Sequence, residues 1–245
     1  PLIALPLMGN DAGNNLGSGG DFTVNSGPFV GARGGSEFWS RGAKYSTTSA
    51  YLKVASPSLV GTTTEYTAIR SFYVGASIPS LQFLDKHLNT TLTGYFFALY
   101  VTDAEKITIT CYGDNGTGGG VSFNMTATSL TLNSWNTLLI SFDLSNSSKK
   151  HVYLNDVDVS SNVNIFNNYP LDLANASELC LGESGGSRNF TESQTFAYEA
   201  ADYIDFSQEA NRNKFIDQLG YPKDLTQQIE DGDIPNPLIY MKFDN

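Results

Sequence analysis

The chain has 245 residues, of which 16% are charged, and a formal net charge of −11. That balance argues against nucleic acid and anionic lipid as partners, since both need clustered Lys and Arg, and no run approaches the roughly 18 apolar residues of a membrane span. Gly, Ser, Thr and Asn are abundant, which favours short strands joined by turns over amphipathic helices.

In chain order, "PLIALPL" at 1–7 reads as a buried strand, and "PLIYMKF" from Pro237 repeats its character. Two such terminal strands are expected side by side, bringing the chain ends together. Pro1 in place of Met points to processing, missing residues or a domain cut from a longer polypeptide. Residues 9–50 read as short strands and loops, with "EFWS" and "KYSTTSAYLKV" as paired elements.

Clear strands follow in "EYTAIRSFYVG", "GYFFALYVT", "KITITCYG", "GVSFNMTAT", the pair within "WNTLLISFDLSNSSKKHVYLNDVDV", and "SELCLGE". Strand after strand separated by turn residues predicts an all-β fold, an antiparallel two-sheet jelly-roll sandwich. Its expected core includes Ile69, Phe97, Ile109, Phe123, Ile140 and Leu154. Cys111 and Cys180 lie in such runs, where buried free thiols are common; whether they pair stays open.

In the strand from Trp135, both alternating sets are apolar or small, as in a central strand packed on both faces. Trp135 then reads as a core plug at the strand entrance rather than a sugar platform, and "NDVD" at 155–158 as a tight turn. One segment, "DFSQEANRNKFIDQLGYP", has a helical pattern. Ser207 is its candidate N-cap, Phe215, Ile216 and Leu219 share a face, and Gly220 and Pro222 stop it. It predicts one short helix of about three turns lying across an edge or face of the sandwich and covering an exposed sheet edge.

Three motifs could carry chemistry. "GESGG" at 182–186 matches a nucleophile-elbow pattern, but a serine needs a base, and His87 and His151 lie in unrelated contexts with no helix after Ser184; a Gly-rich turn is the better reading. "YGDNGTGGG" lacks the Lys-Ser/Thr ending of a phosphate loop, yet it places Asp114 and Asn115 beside Tyr112, a set that could ligate Ca²⁺ or hold a sugar, or simply form a hairpin turn. "EDGD" at 230–233 sits in a turn-rich stretch without the alternating carboxylates of a glucanase strand. Sequons at Asn89, Asn115, Asn124, Asn146, Asn175 and Asn189 are close to what this composition gives by chance and do not decide the compartment.

The run "SWNTLLISFDLSNSSKKHVYLNDVDVSS" resembles the Trp-led hairpin of laminin-G-like, concanavalin A-like jelly-roll domains, and "SAYLKVASPSL" and "LCLGE" are similar to flanking strands of that family. The resemblance spans nearly the whole chain, 1–245, as one domain. "YIDFSQEANRNKFIDQLGYPKDL" resembles a segment of such modules in bacteriophage and bacterial surface proteins. The resemblance implies a non-catalytic, lectin-like attachment module on a virion surface or outside the cell. Its partners would be a glycan or surface protein, with capsid or tail proteins and copies of itself as further options. Ca²⁺ is an option without a matched ligand set. Loop residues Tyr112, Asp114, Asn115, Glu183 and Arg188 are the candidate contacts. A purely structural capsid or tail protein and a polysaccharide or peptide hydrolase are the alternatives.

Overall fold

The computed structural model describes residues 18, 23–25, 29–32, 41–45, 51–55, 57, 59, 61–74, 82–92, 94–102, 106–182 and 192–242. In chain order the strands are β1 (Thr23–Asn25), β2 (Phe29–Ala32), β3 (Arg41–Tyr45), β4 (Tyr51–Ala55), β5 (Thr62–Thr63), β6 (Glu65–Val74), β7 (Gln82–Asn89), β8 (Tyr95–Val101) and β9 (Lys106–Gly113). There follow β10 (Gly120–Ser129), β11 (Ser134–Asp143), β12 (Lys150–Leu154), β13 (Val157–Asp158), β14 (Val163–Phe166), β15 (Leu171–Asp172), β16 (Ala176–Gly182), β17 (Glu192–Ala200) and β18 (Ile239–Lys242). Helices α1 (Glu209–Phe215) and α2 (Thr226–Glu230) lie between β17 and β18.

Two antiparallel sheets form the expected all-β sandwich. The first runs β1-β4-β16-β7-β8-β9-β10-β14, and the second β13-β12-β11-β6-β17-β3-β2, with β18 also paired to β17. Of the terminal pair, residues 1–7 lie outside the described residues, while Ser18 donates its backbone N–H (2.9 Å) and hydroxyl (3.1 Å) to the Pro237 carbonyl. "EFWS" is also outside them. "KYSTTSAYLKV" divides between β3 and β4, which belong to different sheets.

Period-two alternation decides what each sheet face meets. On β6, Tyr66, Ala68 and Phe72 enter the inter-sheet core, and on β11 Leu138, Ile140 and Phe142 do the same. Phe97, Ile109, Phe123 and Leu154 join that core as expected. The alternate residues Ile69, Leu139, Tyr198 and Tyr153 face the other way, into a second core made with Ile204, Phe206, Phe215, Ile216, Leu225 and Ile234. The segment 203–234 thus caps the outer face of the second sheet rather than a sheet edge, and so both faces of β11 are apolar.

The cap differs from the single helix expected. Ser207 is not an N-cap: its hydroxyl donates to Asp205 Oδ1 at 2.5 Å within a turn, and Gln208 occupies the cap position without a side-chain bond. α1 ends after Phe215 because Ile216 turns extended and bridges to Pro222, which buries both Phe215 and Ile216. α1 is fastened to the sheet by Arg212, whose Nε donates to Asp156 Oδ1 at 2.7 Å while its guanidinium lies 4.5 Å from the centre of the Tyr153 ring. Cys111 and Cys180 are buried free thiols, and burial pushes the Cys111 thiol up.

Between the sheets lies a fully enclosed ionic network. Arg70, on the inward face of β6, donates through Nε to Asp85 of β7 and through Nη2 to Glu199 of β17. Its Nη1 meets the carbonyls of Ile69 (2.9 Å) and Tyr198 (3.1 Å). Tyr66 donates to the other Glu199 oxygen. The Cys180 backbone N–H donates to His87 Nδ1 (3.1 Å), so the ring proton sits on Nε2, which meets Glu199 Oε1 at 2.7 Å. Burial, and then the Arg70 charge, hold His87 well below its ordinary value of 6.5.

Removing one partner from such a cluster strands the others in an apolar core. Glu199→Ala is therefore expected to cost about 3–5 kcal/mol, read as a lowered denaturant midpoint. The unfolded chain takes up a proton at His87 below pH 6.5 that the folded chain refuses, so stability falls as pH drops through that value, by at most about 1.4 kcal/mol per pH unit from this group. In His87→Gln, unfolding measured across that range should lose this part of the slope; an unchanged slope would assign the effect to other groups, such as His151, whose pKa burial also lowers.

Candidate functional site

Of the expected contacts, Asp114 and Asn115 lie in the β9–β10 turn and Tyr112 near the end of β9. Asp114 Oδ1 accepts from the Gly116 amide (2.7 Å), and Asn115 Oδ1 accepts from the amides of Thr117 (2.9 Å) and Gly119 (3.1 Å) and from the Thr117 hydroxyl (2.9 Å). These side-chain oxygens build the turn itself. Tyr112 packs edge-on against Tyr95, with ring centres 5.0 Å apart. Glu183 and Arg188 lie outside the described residues, as does Ser184.

A concavity opens beside Trp135. Trp135 is half-buried rather than a core plug. Its position on β11 is in phase with Thr137 and Leu139, so it faces outward, and at this end of the strand the cap gives way to a cleft of about 400 Å³. Trp135, Tyr73 and Tyr221 supply its rings, Thr131, Asn133, Ser134, Thr137 and Asn155 its polar atoms, and Leu219 and Gly220 its rim. Tyr73 and Trp135 are neighbours across the β6–β11 ladder, with centroids 5.9 Å apart and planes at 57°.

Each wall is held by bonds that the local sequence dictates. Asn155 and Asp156 both have positive φ (52° and 61°), the signature of a two-residue type I′ hairpin turn, so "NDVD" is the tight turn expected and joins β12 to β13. Asn155 Oδ1 accepts from the Thr137 amide at 2.9 Å. Asn136, fully buried, accepts from the Thr131 amide (3.1 Å) and Asn155 Nδ2 (3.2 Å) and donates to the carbonyls of Thr131 (3.0 Å) and Ser134 (3.2 Å). One amide side chain thus ties the 131–134 turn to the 155 turn. Opposite, Asp217 Oδ1 takes the amides of Leu219 (2.8 Å) and Tyr221 (3.0 Å), and Gly220 has φ +80°, which an L side chain rarely adopts. That tight turn leaves Leu219 79% exposed at the rim.

Among the described lining residues none is a carboxylate, whereas most glycoside hydrolases need two. His87 is enclosed, with both ring nitrogens engaged. Among the described residues no group of three or more His, Cys, Asp and Glu could hold a metal ion, and no helix is long and apolar enough to cross a membrane.

No protein-family model matches the chain, and no curated protein matches it. Among solved structures, the fold is similar to the binding domain of botulinum neurotoxin DC in complex with SialylT, at 8% identity over 82% of this chain and 50% of that one, TM-score 0.52. It also matches Trypanosoma rangeli sialidase in complex with 2,3-difluoro-KDN (9% identity, 67% of this chain and 26% of that one, TM-score 0.43). A third match is Ruminococcus gnavus IT-sialidase CBM40 bound to α2,3-sialyllactose (13%, 58% and 78%, TM-score 0.40). The chain thus spans about a quarter of that sialidase and half of the toxin domain. What the toxin domain shares with this chain is the β-sandwich fold, a coarser grouping than the laminin-G-like family.

Asn136→Ala removes the tie between the two turns. It is expected to cost about 2–3 kcal/mol and to speed hydrogen exchange at the Thr131 and Thr137 amides; unchanged exchange there would mean that the turns hold without it.

Proposed function

We propose that this chain is a non-catalytic, lectin-like module that attaches to glycans through the Trp135–Tyr221 cleft. The observation that carries the reading is the cleft itself: ring faces for the apolar side of a sugar, amides and hydroxyls for its hydroxyl groups, and walls ordered before any ligand arrives. Preordered polar groups lose little freedom on binding, which raises affinity for a small ligand. The volume of about 400 Å³ lies within the usual range for ligand pockets, about 300–1,000 Å³. The toxin binding domain with a similar fold was solved with SialylT, in keeping with a sandwich of this kind serving as a sugar-binding scaffold.

The resemblance of residues 203–225 to phage and bacterial surface modules supports display on a virion or outside the cell. In such an array, weak single-site affinity is multiplied by valency. The Tyr112–Asn115 turn, with Glu183 and Arg188, is the competing contact surface.

A glycan array probed with the full chain separates these surfaces. Trp135→Ala is expected to weaken binding about tenfold or more, some 1.4 kcal/mol, at unchanged circular dichroism, while Asn115→Ala leaves it within about twofold. The opposite pattern would move the site to the β9–β10 turn. Since none of the described lining residues is a carboxylate, EDTA should leave binding unchanged; loss of binding in EDTA would place a metal in the site and overturn this geometry.

A further inference from the structure

The toxin binding domain of similar fold was solved with SialylT, but among the described residues that line the cleft here there is no cation to meet an acid. Its described lining residues are all uncharged. A carboxylate leaving water needs a cationic or multiply hydrogen-bonding partner, and Arg is the usual one. The cations of the cap that builds the far wall are committed elsewhere. Arg212 spends Nε on Asp156 (2.7 Å) and Nη1 on the Phe206 carbonyl (2.7 Å). Lys214 Nζ donates to the Asp233 carbonyl (3.0 Å), and Lys223 Nζ to that of Asn213 (2.6 Å). Arg70 is sealed on the opposite face of its strand. The charged residues next in sequence to the lining are instead Asp156, beside Asn155, and Asp217, whose Oδ1 holds the Leu219–Tyr221 turn. A net charge of −11 adds a repulsive field at longer range.

We infer that the cleft selects uncharged pyranosides and rejects sialylated and uronic-acid glycans, an inference that rests on the glycan-binding reading above. A neutral sugar presents to this site what the lining can match. Its C–H face lies against Trp135 or Tyr221, and its hydroxyls exchange hydrogen bonds with Asn133, Asn155 and Ser134. Leu219 at the rim gives an apolar wall to whatever substituent projects from the ring. The attraction is short-range and dipolar, so it is nearly indifferent to salt.

The test is titration of the full chain with neutral oligosaccharides, with lactose and α2,3-sialyllactose as a matched pair, and with oligogalacturonate. Each is measured at low and high salt in the wild type, Trp135→Ala and Asn133→Arg. The expected result is that a neutral glycan binds about tenfold or more tighter than its acidic counterpart. That binding should change less than about twofold with salt and be lost in Trp135→Ala, and Asn133→Arg should narrow the gap to the acidic ligands. Preferential binding of an acidic glycan that Trp135→Ala abolishes overturns the selectivity and leaves the cleft as the glycan site. Glycan binding that survives Trp135→Ala moves the glycan site off this cleft and overturns the inference alone, whereas no binding to any glycan overturns the glycan reading and this inference with it.

Discussion

The structure depends on a charge cluster placed where a sandwich normally keeps only hydrocarbon. Arg70 comes from one sheet with Glu199 and Tyr66; Asp85 and His87 come from the other. Apolar packing between sheets tolerates sliding, because a displaced Leu still meets apolar neighbours. A buried guanidinium does not, since moving it by one residue pair would leave charges without partners in a low-dielectric interior. The cluster therefore sets the stagger of the two sheets and also the tautomer of His87. The surrounding rings close it from water: Phe97 stacks on His87 at 5.3 Å, Tyr66 lies 5.6 Å from Phe97, and Phe142 stacks on Phe123 at 4.7 Å.

From that constraint the outer face follows by parity. With Arg70 pointing in, Ile69 and Tyr73 on the same strand point out, and the register with β11 sets Trp135 directly opposite Tyr73. Further along the same face, Ile69 and Leu139 are covered by the cap, and where the cap turns away at Gly220 the two rings are left lining a cleft. Core and candidate site are opposite faces of the same two strands. The rigidity that Asn136 and Asp217 give the rim is what a weak, neutral ligand requires, because such a ligand brings no strong ionic contact to order a loose site.

The strands that could be read from the chain were those in which apolar alternation is strong: β6, β8 to β12 and β16 match the expected runs closely. β7 and β17 escaped. Their inward positions hold Asp85, His87, Asn89 and Glu199, so the polar residues lie where a pattern reading places apolar ones. These strands are the network's main contributors, so the same residues that lock the sheets also hide two of their strands. The cap departs from the single expected helix for a related reason. Its helical pattern is real over Glu209–Phe215, but the bridge from Ile216 to Pro222 forms only because Phe215 and Ile216 can both enter the core over β17 and β11.

Composition, turn chemistry and period two were enough to determine an acidic, antiparallel sandwich, most of its central strands, and the tight turn at Asn155 and Asp156, because each rests on residues within a few positions of one another. Which face of β11 meets solvent was a tertiary decision. Trp135 was legible as a large ring at a strand entrance, but whether it plugs a core or lines a cleft depends on a cap more than 60 residues later in the chain. The uncharged character of the cleft's described lining was decided the same way, by folding that commits Arg212 to Asp156 and the Phe206 carbonyl, Lys214 and Lys223 to carbonyls of the cap, and seals Arg70 between the sheets. Local preference acts over a turn or a strand, whereas a binding surface is assembled from segments that only packing brings together.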